Sequence, residues 1–289
     1  MKKAIIFGAG GTGKAVYEKI KDAVEVVGFV DSDAAKEGQT VVEVLGGGGI
    51  KCSLPESLLT TEHDFVYLAS PCGYNEMMET CIRLGESAEK IRGDFTRDGS
   101  AARVDFLKHF SQIMNAKNTD KENWSVAEAG VYRGEFSREI NRFFSGRKIY
   151  LFDTFSGFDE RDFSHEQSES FVKAGHFGNT SVELVLEKLP HPENAVIKKG
   201  WFPETAKGIE DSFGFVSLDM DLYQPIFEGL KFFYPRLIPG GVILVDDYFA
   251  PGYPNVKNAV ASYEDFSGEK ILFLPVGDNR GVAIIKPYA

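Results

Sequence analysis

No stretch of this 289-residue chain approaches the roughly 18 consecutive apolar residues of a membrane-spanning helix, so no membrane partner is expected. The first apolar run, Ala4-Ile5-Ile6-Phe7, is too short for a signal-peptide core and no small-residue cleavage site follows it, which makes cytoplasmic localisation the expectation. Cysteine is scarce. Cys52, Cys72 and Cys81 are an odd number at spacings that match no zinc motif, so reduced, structural thiols are expected. Basic residues are outnumbered, 32 against 43 acidic, for a net charge of −11. A chain without a basic surface displaces few counterions, which argues against nucleic acid and for a small-molecule substrate. No fixed-period repeat is present, which excludes a solenoid. What remains is an ordinary composition, 43% hydrophobic and 26% charged, with enough residues for two domains that each bury a core.

The first domain, residues 1–93, opens as strand, glycine turn and helix: Ala4 to Phe7, then Gly8-Ala9-Gly10-Gly11-Thr12-Gly13, then helical spacing through Ala15, Val16 and Ile20. A second strand, Val24 to Val30, ends at Asp31, close to the spacing at which a dinucleotide fold sets an acid against a ribose. Gly8, Gly10, Gly13 and Asp31 are therefore candidate nucleotide-binding residues. A single such unit is half of a Rossmann fold, so a domain that only packs or dimerises is the competing expectation, and a homo-oligomer stays open. Gly46 to Gly49 reads as a mobile loop between two strand-like pieces. A polar turn from Gly93 to Gly99 leads into an amphipathic helix, Ala101 to Ala116, with Val104, Leu107, Phe110, Ile113 and Met114 on one face; residues 94–123 form linker and helix.

A new α/β series fills residues 124–289. Ser125 to Val131 is a strand, followed by a helix from Glu135 to Phe144; Lys148 to Phe152 is a strand ending at Asp153, and Ala195 to Lys198 is another. Two further apolar runs, Phe215 to Leu218 and Val242 to Val245, end in Asp219 and Asp221, and in Asp246 and Asp247. The helix between them is expected from Pro225 to Leu237, stopped by Pro239-Gly240-Gly241. Lys270 to Val276 and Gly281 to Ile285, across Gly277-Asp278-Asn279-Arg280, read as an antiparallel hairpin. The fold class is thus α/β, a half-Rossmann domain followed by a doubly wound sheet that ends in an antiparallel hairpin.

Ligands of open α/β sheets lie outside the carboxyl ends of the strands, so both pairs of aspartates should face one crevice. Four crowded carboxylates repel unless a cation sits among them, and a hard divalent ion such as Mg²⁺ is the economical answer; solvated aspartates capping the next helices are the alternative. Glu128, with Gly130 and Gly134 through the turn that follows, lets a ligand lie against bare backbone, and Asp153 about 20 residues on can accept ribose hydroxyls. This turn lacks the three-glycine dinucleotide pattern, which suits a nucleoside without a pyrophosphate.

The acid-glycine turn, Phe152-Asp153-Thr154-Phe155-Ser156-Gly157-Phe158, Lys199-Gly200-Trp201-Phe202-Pro203-Glu204-Thr205, Leu218-Asp219-Met220-Asp221-Leu222-Tyr223 and Pro239 to Tyr248 together resemble the macrocin O-methyltransferase family, over about residues 124 to 286. The resemblance implies a class I methyltransferase sheet that uses S-adenosylmethionine and Mg²⁺ to methylate a sugar hydroxyl. On it, Glu128, Gly130 and Asp153 would hold the cofactor; Asp219, Asp246 and Asp247 would hold the metal, with Asp221 close by. Asp219 or Asp221 is the expected base, with His165 and His176 as alternatives in an expected lid, Asp159 to Asn179. Tyr223, Tyr248, Phe249 and Tyr253 would either stack on the acceptor or pack in the protein. Residues 2 to 92 resemble, at fold level, the small nucleotide-binding domains that precede bacterial sugar-modifying enzymes, which implies a nucleotide or nucleotide-linked sugar. The competing functions are a nicotinamide-dependent sugar oxidoreductase and a nucleotide-sensing regulator on an inactive methyltransferase fold.

Overall fold

A computed structural model describes every residue except 45–47, 71–72, 94–96, 117–122, 167–173, 251 and 289, with the backbone alone at 75 and 97–101. The chain divides into two compact units, Met1–Ala101 and Ala102–Ala289.

The first unit contains β1 (Lys3–Phe7), α1 (Gly11–Ile20), β2 (Glu25–Val30), β3 (Thr40–Val44), β4 (Gly48–Ser53), β5 (Phe65–Leu68), α2 (Tyr74–Arg83) and β6 (Ile91–Arg92). Its sheet runs β3-β4-β2-β1-β5-β6, parallel except for β3 against β4. Strand order reverses at β1, so the glycine turn after it lies at the switch point. The two strand-like pieces around the glycine run are β3 and β4. Gly48 and Gly49 open β4, whereas Gly46 and Gly47 lie outside the described residues. Cys52 and Cys81 are buried free thiols, and burial pushes them up to about 11 and about 12, so both stay protonated; Cys72 lies outside the described residues.

The second unit takes over within α3 (Arg97–Ala116) and continues as β7 (Trp124–Ala129), α4 (Glu135–Phe143), β8 (Ile149–Asp153), α5 (Val182–Lys188), β9 (Ala195–Lys199), β10 (Ser212–Leu218), α6 (Tyr223–Phe233), β11 (Leu237–Val245), α7 (Asn255–Ser267), β12 (Leu272–Pro275) and β13 (Val282–Ile285). The sheet order is β12-β13-β11-β10-β7-β8-β9. The expected terminal hairpin forms, and β13 runs antiparallel to both of its neighbours, β11 and β12. Every residue of β7 is buried, as suits a central strand covered on both faces.

Two apolar layers flank this sheet. On one face α6 and α7 contribute Ile226, Leu230, Phe233, Val256 and Tyr263, around a cluster of rings in which Phe213 and Phe233 meet edge to face at 5.0 Å. On the other, α3, α4 and α5 contribute Leu107, Phe110, Met114, Ile140 and Val185. Leu107 and Met114 are fully buried, and each such side chain stabilises the unit by about 1.5–3 kcal/mol. Ile113, expected on the same face, is 52% exposed, because one residue before Met114 is about 100° around a helix of 3.6 residues per turn.

α6 also ends earlier than its sequence pattern suggests, at Phe233: Pro235 has no N–H to donate back to the preceding turn, and the chain tightens into a 3-10 turn, Tyr234–Arg236. β11 then starts at Leu237, upstream of Pro239-Gly240-Gly241. Its pairing with β10 slips between Leu237 and Val242, and Gly240 takes a φ of 77° inside that bulge.

Candidate active site

In the second unit the ends of three strands are in register, Ala129 beside Leu218 and Leu218 beside Val245. The strand order reverses between β7 and β10, and the next residue of each strand, Gly130, Asp219 and Asp246, meets its neighbours at that reversal. The ladder continues past the strands: the Asp219 amide donates to the Ala129 carbonyl at 2.8 Å, and the Asp246 amide to the Leu218 carbonyl at 2.9 Å. Gly130 has a φ of 88°, and a Cβ there would lie 1.8 Å from the Asp219 carbonyl oxygen. Only glycine lets these two chain segments touch.

Carboxylate oxygens of Asp219, Asp221 and Asp247 lie within 4.8 Å of one another. Asp221 and Asp247 both have left-handed backbone, φ 62° and 57°, a conformation aspartate tolerates at a cost and one that gathers at functional sites. Two arginines hold the rim. The Arg103 Nη1 donates to Asp219 Oδ2 at 3.1 Å and to Asp246 Oδ2 at 2.7 Å, while its Nη2 donates to the Ser217 hydroxyl at 2.9 Å. Arg280 donates to Asp247 Oδ1 and has its Nε 3.9 Å from Asp246.

Protonation divides along the same lines. Burial pushes Asp219 above the ordinary carboxylate range, with repulsion from Asp246 adding to it. Burial also pushes Asp221 well up, together with its contact to Asp247. Burial acts upward on Asp246 too, but Arg103 and Arg280 outweigh it and hold that carboxyl below its usual value. The Oδ2 of Asp247, a residue 1% exposed, has no hydrogen-bond partner among the described residues. Carboxylate oxygens grouped this closely, those of Asp247 buried and one of them without a donor among the described residues, are a set that a hard cation fits. The open group is Asp219, Asp221 and Asp247; Asp246, beside them, is turned toward the two arginines.

The turn after β7 is tied down by Asp153 at the end of β8. Its Oδ2 accepts the amides of Val131 and Tyr132, each at 2.8 Å, and its Oδ1 accepts that of Phe155 at 2.7 Å. Gly134 precedes α4 with a φ of 80°. Glu128 is 1% exposed and accepts from the Ser137 hydroxyl on the inner side of α4. Burial raises its carboxyl from the usual 4.5 to about 8.

That shift has a sign. Between about 4.5 and 8 the unfolded chain has lost the Glu128 proton while the folded chain keeps it, so stability falls as pH rises through this window. Glu128→Gln, which cannot ionise, should match the parent protein's melting temperature near pH 5 and exceed it near pH 8. Equal melting temperatures at both pH values would show that Glu128 folds as an ordinary carboxylate.

The expected lid is described only in part. His165 stacks on Tyr223 with ring centroids 4.3 Å apart, and Glu166 accepts the Tyr223 amide at 3.0 Å and the Asn255 side-chain amide at 2.9 Å. The segment ahead of residues 167–173 is thereby pinned to the starts of α6 and α7. His176 stacks on Phe177 at 4.3 Å. Tyr248 packs on Phe249 and Phe273, and Phe249 is 41% exposed.

In the first unit, Asp31 repeats the role of Asp153. Its Oδ2 accepts the Ala9 amide of the glycine turn at 2.8 Å and the Lys36 ammonium at 2.8 Å. Gly8 follows β1, Gly10 caps α1 with no side chain, and Gly13 lies against the Gly8 carbonyl, where a Cβ would come within 1.8 Å. Helix and strand can approach this closely only without a side chain at Gly13.

Arg103, Arg280, Ser217 and Glu166 were not among the sequence candidates. A signal existed for Arg103: it shares the stripe of Leu107, Phe110 and Met114, four, seven and eleven residues on, so a charged residue stood on a buried face.

Residues 100–276 match the family model described as Macrocin-O-methyltransferase (TylF), and residues 1–92 match the model described as C2185-like, N-terminal. Among curated proteins, the chain is 29% identical over 159 residues to 8-demethyl-8-(2,3-dimethoxy-alpha-L-rhamnosyl)-tetracenomycin-C 4'-O-methyltransferase of Streptomyces olivaceus, covering 50% of this chain and 60% of that protein. It is 27% identical over 178 residues to Mycinamicin III 3''-O-methyltransferase of Micromonospora griseorubida, covering 56% and 68%. Among solved structures, the O-methyltransferase NovP superposes with a TM-score of 0.56 at 21% identity, over 70% of this chain and 90% of that one. The calicheamicin methyltransferase CalS11 superposes with a TM-score of 0.52 at 17% identity, over 80% and 89%. The doubly wound sheet with its reversed strand is the class I methyltransferase fold of these structures.

Proposed function

This chain belongs to the macrocin O-methyltransferase family, and from that premise we propose that it transfers a methyl group from S-adenosylmethionine to a sugar hydroxyl with the help of a divalent cation such as Mg²⁺. The observation that carries the reading is the group of carboxylates just past the ends of β10 and β11, set against the glycine turn at the strand reversal. Neither competing function needs both together.

When bound, S-adenosylmethionine supplies an electrophilic methyl group, and a divalent cation supplies Lewis acidity and a template for the acceptor oxygens. The protein's share is to place, dehydrate and deprotonate. Gly130 and the backbone around it offer a surface for the cofactor to lie against, and Asp153 keeps that turn in shape. Asp219 and Asp247 would hold the cation, with Asp221 in the same group and Asp246 beside them. Asp221, in the same group as Asp219 and Asp247, is the carboxylate placed to take the hydroxyl proton. The exposed ring of Phe249, after β11, offers a face to the sugar, whereas Tyr223 is already stacked on His165. For the first unit the reading is a pocket for the nucleotide of a nucleotide-linked sugar, with Asp31 and Lys36 beside the glycine turn. Such substrates agree with action in the cytoplasm. No helix among the described residues is long and apolar enough to cross a membrane.

Calorimetric titration of the full chain with S-adenosylhomocysteine, with and without Mg²⁺, tests the reading. One site per chain with micromolar affinity is expected, and absence of heat under both conditions would overturn it. Repeating the titration with a nucleoside diphosphate tests the first unit, where no heat would sink the nucleotide pocket.

A further inference from the structure

We propose that Arg103 is a positioning residue that serves as the carboxylate cluster's built-in counter-cation, and that it sets the metal affinity of the site by competing for Asp219 and Asp246. The inference rests on the metal reading given above.

Four contacts fix the guanidinium. One nitrogen bridges Asp219 Oδ2 and Asp246 Oδ2 at 3.1 and 2.7 Å, a second reaches the Ser217 hydroxyl at 2.9 Å, and the plane lies 4.1 Å from the Phe136 ring centroid. The side chain is 12% exposed. A planar, permanently charged group with several donors is the side chain best able to occupy a dry carboxylate site. The helix that carries it is anchored by Leu107, Phe110 and Met114 in the core, so Arg103 is held over the cluster by the same stripe that folds the unit.

Arg280 occupies a different position. It binds Asp247 through Oδ1 and leaves Oδ2 of that residue without a hydrogen-bond donor among the described residues. Arg103 hydrogen-bonds two carboxylates through one nitrogen, whereas Arg280 reaches its second, Asp246, only at 3.9 Å, and one of the Arg103 pair, Asp219, is shared with the Asp219, Asp221 and Asp247 group. A cation drawing on Asp219 Oδ2 or Asp246 Oδ2 must weaken an arginine contact in the same step. Arg103 therefore keeps the metal-free cluster folded and lowers its affinity for metal.

The test is Mg²⁺ titration by calorimetry, repeated with Mn²⁺, on the full chain and on Arg103→Gln and Ser217→Ala, together with melting temperatures with and without metal. Arg103→Gln should bind Mg²⁺ at least about tenfold more tightly than the parent. It should also melt lower than the parent without metal and recover when metal is added. Ser217→Ala leaves every charge in place and removes one anchor of the guanidinium, so it should bind Mg²⁺ about threefold to tenfold more tightly. Parent-like or weaker affinity in Arg103→Gln, while the parent binds, overturns the inference and leaves the metal reading standing. Failure of the parent and both variants to bind either ion overturns both. Should Arg103→Gln not fold, Ser217→Ala decides, and an unchanged affinity there counts against the proposal.

Discussion

Asp219→Asn should lower methyl transfer at least about 100-fold while leaving the affinity for S-adenosylhomocysteine near that of the parent, by analogy with the loss of one preorganised electrostatic partner elsewhere. The substitution keeps side-chain shape and spares the backbone bond from the Asp219 amide to Ala129, so the turn that would hold the cofactor stays in place. What is lost is one negative charge in a group of three and one of the two carboxylates that Arg103 bridges. Calorimetry and a turnover assay on the same preparation separate the two effects. Near-parental turnover would remove Asp219 from the chemistry, and loss of both turnover and cofactor binding would point to a collapsed turn.

Gly130→Ala should be the most destabilising single-methyl change at this site. The new Cβ would meet the Asp219 carbonyl oxygen at 1.8 Å and its carbon at 2.5 Å, both backbone atoms, and the φ of 88° is itself unfavourable for alanine. No side chain can rotate away to relieve such a contact, so β7 and β10 must separate where they are paired. A cost of about 3 kcal/mol or more follows, which for a unit of this size lowers the melting temperature by about 6–12 °C. Because the same contact joins the glycine turn to the aspartates, cofactor and metal binding should fall together. A variant that melts like the parent would mean that the two strand ends are not in contact in solution.

Much of this site was legible because strand ends are easy to read. Apolar runs that stop at Asp219 and Asp246 reveal both the sheet and the side of it that matters, and glycines at 130 and 134 mark the turn. The reversed last strand was visible as two apolar runs across a short Gly/Asn turn. Features set by distant contacts were less accessible. Arg103 meets its partners 116 and 143 positions away, and no local pattern announces which carboxylates it will face. The orientation of Glu128 was hidden for a related reason: an acid at a strand end reads as available to ligand, whereas this one turns inward to Ser137. The early start of β11 depends on a bulge whose existence only the register with β10 reveals.

The position of β13 has a consequence for the order in which the chain can be completed during synthesis. It is the last strand of its sheet in sequence, yet it lies between β11 and β12. A chain emerging from the ribosome can pair β7 to β11 as each strand appears, but β12 has no neighbour until residues 282–285 follow it. Until then the outer edge of β11 and both edges of β12 stay open, the kind of surface that pairs with the wrong partner. Gly277 to Gly281, which must fold back for the last strand to enter, includes Arg280, the residue that reaches Asp247. Closing the sheet and placing that charge are therefore coupled, because the strand that completes the sheet follows closely on the arginine that reaches Asp247.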